Sequence, residues 1–408
     1  MTIEIRTVRA DQYADYVRAI GIGFLDRPDA DAVAAQVSTS WEPARTWAAF
    51  DGALICGTFR SWATELTVPG GQALPASAVA GVTVLPTHRR RGILTRLAAA
   101  EHAAIRDRGE AVGLLNATEY PIYGRFGYGP GCRVATWTLQ VGRTGFHGDP
   151  ASGIELVAPD ADAVDTIRSV FEAWRSRQPG EIRRRDVRWE DDLGLRPSPW
   201  GPPWKGFLAV HRDAVGRPDG YARFRGQEQF VDRQPASSIT VDELHALTDE
   251  AYAALWRFLA EVDLVTTVKA DGRSPSERLP WLLTNARAAI PSELGDGMWV
   301  RLFDVPRALA ARTYEREGRA VIEIVDPEAA APVRVELDAT PDGATCRPTD
   351  RSPDITLPVA ALGAAYLGGA RLRNLVIGTG ADEHRPGALE TVDALLRTAA
   401  EPWTSTFF

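Results

Sequence analysis

The apolar positions of this chain change period several times, and each change marks an expected element. Ile3, Ile5 and Val8 open on an alternation suited to a half-buried strand, and helical spacing runs from Tyr13 to Phe24. Strands are expected over residues 47–56, 57–68 and 76–85, with Asp51-Gly52 and Pro69-Gly70-Gly71 as hairpin signals. Helical spacing then returns, with Leu94, Leu97, Ala98 and Ile105 on one face and Arg96, Glu101 and Arg106 on others. Arg108-Gly109 ends it, and the wholly apolar run 112–115 reads as a strand covered on both faces.

A second unit opens after the linker-like residues 145–150. Val164, Ile167, Phe171 and Trp174 mark an amphipathic helix, and the proline-rich stretch 196–204 excludes regular structure. Strands at 206–210, 220–225 and 237–241 precede a helix carrying Leu247, Ala251, Leu255, Phe258 and Leu259, then a strand at 265–269. This order repeats the first unit. From Met298 the pattern changes again: strands at 299–303 and 321–324 surround a helix at 306–314, Val333, Val335, Leu337 and residues 355–357 add strands, and helices follow at 359–367 and 388–399. The expected fold class is α/β (α+β) in three units, residues 1–148, 149–292 and 293–408.

Composition narrows the function. With 408 residues the chain exceeds one ordinary core. Its 45% apolar and 25% charged residues are those of a soluble globular protein. The net charge of −8 gives no reason to expect a nucleic-acid partner and leaves room for a locally acidic pocket. Cys56, Cys132 and Cys346 have no metal spacing, no apolar run suits a membrane span, and the N-terminus is not a signal peptide. No metal, no membrane partner and a cytoplasmic location are therefore expected.

The candidate chemistry is concentrated in two blocks. Val82-Thr83-Val84-Leu85-Pro86 reads as a strand end, followed by Thr87-His88-Arg89-Arg90-Arg91-Gly92 and the helical run from Ile93. A helix N-terminus offers unpaired amides and partial positive charge, and arginines add bidentate donors, so this turn suits a diphosphate. A solvated helix start is the other reading. The second block is Tyr123-Gly124-Arg125-Phe126-Gly127-Tyr128. Its Tyr123 is either a phenol that protonates a leaving group or an aromatic packed in a loop.

Together the blocks resemble the GCN5-related N-acetyltransferases, whose cofactor loop reads [Q/R]-x-x-G-x-[G/A] and whose tyrosine block reads Y-x-x-x-G-[FY]. Arg89 and Gly92 match the loop, Leu94 departs from it, and the tyrosine block fits throughout. The triple arginine, the run 122–130 and the length are similar to the Eis (enhanced intracellular survival) family. That resemblance implies tandem GNAT-like domains with mixed sheets and flanking helices, the second without a cofactor site, and a C-terminal sterol-carrier-protein-like α+β domain. It also implies acetyl-CoA as co-substrate, lying along Val82, Thr83 and Val84, with its diphosphate on Arg90, Arg91, Gly92, Ile93, Leu94 and Thr95 and flanked by Thr118 and Glu119. Tyr123 would be the general acid. The carboxylate of Phe408 would take the amine's proton, although the apolar end Phe407-Phe408 also reads as a plug between domains.

Asp26 and Phe24, with Trp41 and Trp47, would form an acidic, aromatic pocket. Phe407 is counted with the acceptor residues and stands where the family often has an acidic one. The implied acceptor is an aminoglycoside or other polyamine, and a homohexamer is implied as well. The alternatives are acetylation of protein lysines and, in a different class, a lipid carrier centred on the third domain. The six histidines show no catalytic pairing and read as surface residues, and Arg183-Arg184-Arg185 reads as a solvated charge run.

Overall fold

A computed structural model describes residues 3–148, 152–198 and 201–408. The first unit contains β1 (Glu4–Thr7), α1 (Tyr13–Gly23), α2 (Ala30–Val37), β2 (Thr46–Asp51), β3 (Leu54–Thr67), β4 (Ala73–Val84), α3 (Ile93–Asp107), β5 (Val112–Asn116), the single turn α4 (Tyr120–Tyr123) and the short β6 (Gly129–Pro130). The strand expected over 47–56 is divided by its own Asp51-Gly52 turn, where Gly52 takes a positive φ. β3 and β4 pair antiparallel, with a register slip opposite Phe59 that leaves Gly81 and Val82 as a bulge. β4 and β5 pair in parallel only from Ala76–Val112 to Val79–Leu115. Beyond that point the bulged β4 leaves β5, and the sheet is open on one side.

The second unit contains β7 (Arg133–Gln140), β8 (Ile154–Val157), α5 (Ala161–Arg175), α6 (Asp186–Asp192), β9 (Phe207–Arg212), β10 (Pro218–Gln227), the ribbon β11 (Phe230–Val231) and β12 (Gln234–Pro235), β13 (Ser237–Ala246), α7 (Asp249–Ala260), β14 (Val265–Arg273) and β15 (Ala289–Asp296). It is followed by β16 (Met298–Leu302). The two large sheets run β1-β2-β3-β4-β5-β16-β6 and β15-β7-β14-β13-β10-β9-β8. Strand for strand they repeat each other, including one parallel pair, β4–β5 and β13–β14.

The strand beside each parallel pair comes from outside the expected unit. β7, expected within residues 1–148, lies in the second sheet, and β16, expected to open the third unit, lies between β5 and β6 of the first. The expected border at 292 also falls inside β15. The two crossovers are tied together, with the Gly297 amide donating to the Cys132 carbonyl at 2.9 Å. The borders at 148 and 292 are thus corrected to crossovers at 131–133 and 297. An apolar strand such as β16, buried at every residue, declares that it is covered and not which strands cover it.

The third unit adds α8 (Val305–Ala311), β17 (Gly318–Val325), β18 (Val333–Thr340), β19 (Gly343–Pro348), β20 (Ile355–Pro358), α9 (Val359–Ala365), α10 (Leu372–Thr379), β21 (Asp382–Glu383) and α11 (Ala388–Leu396), with sheet order β19-β18-β17-β20-β21. One apolar core joins it to the first unit, from Leu114 through Val300 to Ile322 and Leu362. Gly129 permits that approach, because a Cβ there would lie 2.0 Å from the Ala360 carbonyl. Arg301, fully buried, reaches Asp326 and Glu328 at 2.9 Å and donates to the Phe126 carbonyl.

A chain ending at residue 148 lacks β16 and carries an orphaned β7. It is expected to show no cooperative thermal transition, whereas the full chain shows one. Calorimetry is the check, and a cooperative transition in the short chain would contradict the strand exchange.

Candidate active site

The opening between β4 and β5 contains a cavity of about 500 Å³. Pro86 ends β4, residues 86–88 make one tight turn, and Arg90 and Gly92 both take positive φ, 64° and 71°. Gly92 adopts that conformation without strain; Arg90 does so at a cost of about 1–2 kcal/mol. No side chain caps α3, which starts at Ile93, so its first amides are left for a ligand. These donors, next to arginine, fit the diphosphate of an acyl-coenzyme A, and the strand edge Val82–Val84 fits its arm.

Val82, Thr83, Val84, Arg90, Gly92, Ile93, Leu94, Thr95, Thr118, Glu119 and Tyr123 all line this cavity. Arg91 does not; its guanidinium donates to the Thr87 carbonyl at 3.0 Å. Arg89, Arg125 and Ile122, which belong to the two motif blocks but were not named as site residues, line it as well, and so does Gly23, which neither block contains. Gly23 had a signal in the pair Gly21 and Gly23 at the end of α1: a Cβ on Gly23 would lie 1.8 Å from Thr83 Oγ1. His88 is buried beneath the turn, 3.3 Å from Asp51 and 2.8 Å from the Thr87 hydroxyl. Tyr123 is 7% exposed, and its hydroxyl has no hydrogen-bond partner among the described residues. Burial, with the nearby charge of Glu119, pushes its pKa up to about 12.

A larger cavity of about 1010 Å³ lies between the first two units and includes Phe24, Trp41, Trp62 and Phe408 on its walls. Phe24 lines both cavities. The chain after α11 runs without regular structure to its end, and it is held firmly. Glu181, fully buried, accepts from the Ser405 amide at 2.7 Å and the Thr404 hydroxyl at 3.0 Å. Arg184 donates to the Thr406 hydroxyl at 3.0 Å and the Ser405 hydroxyl at 3.1 Å. The Phe408 amide donates to Asn116 Oδ1 at 3.1 Å, at the tip of β5, and its ring stands edge-on to Trp62, centroids 5.0 Å apart.

Several expectations fail on geometry. Asp26 is exposed, bonds the Arg27 amide at 2.7 Å and lines neither cavity. Trp47 donates to Glu101 at 2.6 Å and lines neither. Phe407, 39% exposed, lies against Gly272 and not in the larger cavity. The arginine run is not a solvated one: Arg184 is buried and Arg185 lines the larger cavity. Nor are the histidines all at the surface, since His88, His102, His211 and His245 are buried. Among the described residues no group of three His, Cys, Asp or Glu could hold a metal, and no helix is long and apolar enough to cross a membrane.

Residues 4–131 and 180–302 each match an acetyltransferase (GNAT) domain, and 305–405 match a sterol carrier protein domain. The chain is 40% identical over 418 residues to an uncharacterized N-acetyltransferase of Streptomyces griseus, with both covered in full. It is 34% identical over 365 residues to the N-acetyltransferase Eis of Mycobacterium tuberculosis, covering 85% of this chain and 86% of that one. The crystal structure of Eis1 from Mycobacterium abscessus matches with a TM-score of 0.84 at 33% identity, both chains covered in full. A GCN5-related N-acetyltransferase from Anabaena variabilis gives the same TM-score, 0.84, at 16% identity, a likeness of fold. Two GNAT domains, a sterol-carrier-like third domain and this degree of identity over most of the length show that the chain belongs to the Eis family of N-acetyltransferases.

Proposed function

We propose that this enzyme transfers the acetyl group of acetyl-CoA directly to a primary amine, with Tyr123 as general acid and the Phe408 carboxylate as acceptor of the amine's proton. The observation that carries this reading is that an uncapped helix N-terminus and a buried, unpartnered phenol share one cavity. Acetyl-CoA supplies the thioester and, as the bond to sulfur breaks, a thiolate. Tyr123 keeps its proton up to about pH 12, so its hydroxyl is a donor throughout the working range. The terminal residue, moored on Asn116, offers a carboxylate on the acceptor side, where the amine must shed a proton to attack.

The acceptor belongs in the larger cavity. The resemblance implies an aminoglycoside or other polyamine, and the volume of about 1010 Å³ with Trp41, Trp62 and Trp204 on the walls suits a ring-bearing molecule; the charge of those walls does not suit a polycation. The proposal extends to a homohexamer, read by sedimentation, and to a cytoplasmic enzyme, in keeping with three unpaired cysteines.

Tyr123→Phe is expected to lower kcat about a hundredfold to ten-thousandfold while the KM for acetyl-CoA changes little; free-thiol release measures both, and retained turnover would remove Tyr123 from the chemistry. One glycine appended after Phe408 displaces the carboxylate by about 3.3–3.6 Å. Its expected effect is at least a tenfold loss of kcat, and an unaffected rate would make the tail a plug only. Arg90→Ala is expected to raise the KM for acetyl-CoA about tenfold or more, the value of a charge-assisted bond to phosphate. Arg91→Ala, whose guanidinium is bonded to its own turn, should change it less than about threefold.

A further inference from the structure

The larger cavity is cationic: exposed Lys205 lines it without an ion pair among the described residues, and two further unpaired cations stand together on its wall. Its wall carries three aspartates, each already paired with an arginine. Asp191 meets Arg196 at 3.3 Å, Asp192 meets Arg188 at 2.7 Å, and Asp242 meets Arg225 at 2.6 Å. Arg60 and Arg185 line the same cavity and have no carboxylate within ion-pair distance among the described residues. The α-carboxylate of Phe408 is not within that distance of either one.

Arg60 is 7% exposed, its side chain makes no hydrogen bond among the described residues, and its Nε is buried without a partner. Arg185 has a buried, unpartnered Nη1. Both guanidinium groups lie over one indole, with carbons 5.0 Å and 4.9 Å from the Trp62 ring centroid. That indole also meets the Phe408 ring at 5.0 Å. Burial, with the charge of Arg185 beside it, lowers the Arg60 pKa to about 10. Asp191 acts on Arg185 from beyond ion-pair distance, but no carboxylate meets either guanidinium directly; two like charges so placed are costly, and the cost falls when an anion joins them.

We propose, on the footing that the enzyme transfers acetyl groups to amines, that its acceptor is a small amine also bearing a carboxylate or a phosphate, which is held by Arg60 and Arg185 beside Trp62. The anion sits one indole away from the terminal residue, so amine and anion are a few bonds apart in the substrate. A bond forms between the amine nitrogen and the acetyl carbon as the carbon–sulfur bond breaks. The nitrogen's proton goes to the Phe408 carboxylate and the Tyr123 proton to sulfur. Water returns a proton from the carboxylate to the phenolate, leaving an N-acetylated anion and free coenzyme A thiol. A polycation entering this cavity meets unpaired guanidinium groups and no unpaired aspartate.

The test compares matched amines with acetyl-CoA by thiol release: glucosamine 6-phosphate against glucosamine, lysine against lysinamide, and kanamycin as the polycation. The anionic member of at least one pair should exceed its partner by tenfold or more in kcat/KM, and the two pairs separate phosphate from carboxylate. In Arg185→Ala that ratio should fall at least tenfold through KM, and Arg185→Lys should restore part of it. A ratio is read because a general loss of folded enzyme leaves it unchanged. Equal or reversed ratios, kanamycin as the best acceptor, or a ratio untouched in Arg185→Ala would each overturn the proposal. Calorimetry with acetyl-CoA and with the two anionic amines separates the failures. If acetyl-CoA binds and neither amine does, the acceptor class is wrong while acetyl transfer stands; if acetyl-CoA gives no heat, the transfer function falls and the acceptor class with it.

Discussion

The side chain of Asn116 joins the last residue of the chain to the middle of the first sheet. Its carbonyl accepts the Phe408 amide at 3.1 Å while its amide donates to the Gly297 carbonyl at 3.2 Å, where the chain returns from the second sheet to the first. That one carboxamide therefore meets the crossover that supplies β16, the tip of β5 where the sheet opens, and the chain terminus. For the terminus to reach it, the third domain must stand against the first and the tail must pass beside the second. The strand exchange and the shared core are what hold the three domains in that relation.

The tail is held by polar groups that could not remain buried without one another. Glu181 is fully buried and is satisfied by the Ile182 amide, Thr404 and Ser405. Burial works against the charge of Arg184, but Glu243 and Asp192 outweigh it and its pKa is raised. Such buried pairs add little net stability, yet breaking one strands the other charge. They do fix position: Trp403, Thr404, Ser405 and Thr406 are each hydrogen-bonded to residues between 179 and 184. A terminal carboxylate used in chemistry needs that mooring, because the Phe408 amide must reach Asn116.

Local and distant contacts divide what the sequence did and did not disclose. The arginine-glycine turn and the tyrosine block were legible because each is local: a strand end, a turn and a helix start are adjacent in the chain. Phe407 was misplaced because its ring lies against Gly272, while the ring of the next residue, Phe408, meets Trp62 at the cavity. Arg183 and Arg184 divide in the same manner, one exposed and one buried. Asp26 follows Leu25, whose φ of 60° turns the chain outward after α1. The strand exchange was illegible for a different reason: period 2 reports burial, whereas pairing between β5 and β16 is set by residues 182–190 positions apart, as Met298 opposite Asn116 shows at the near end.

The two cavities divide the work between domains. Every residue that lines the smaller one comes from the first domain, whereas the larger one takes α6, β10 and β13 of the second, with Phe408 of the third. Phe24 is common to both and stands at their junction. Under the proposed function, substitutions on α6 or β10 would thus alter which acceptor enters without touching the turn at Arg90 or the phenol of Tyr123. The second domain repeats the first strand for strand but keeps no arginine-glycine turn between β13 and α7, where Leu247 and Thr248 stand instead. It supplies a wall of the larger cavity, and under the proposed function the charge of that wall would select among amines.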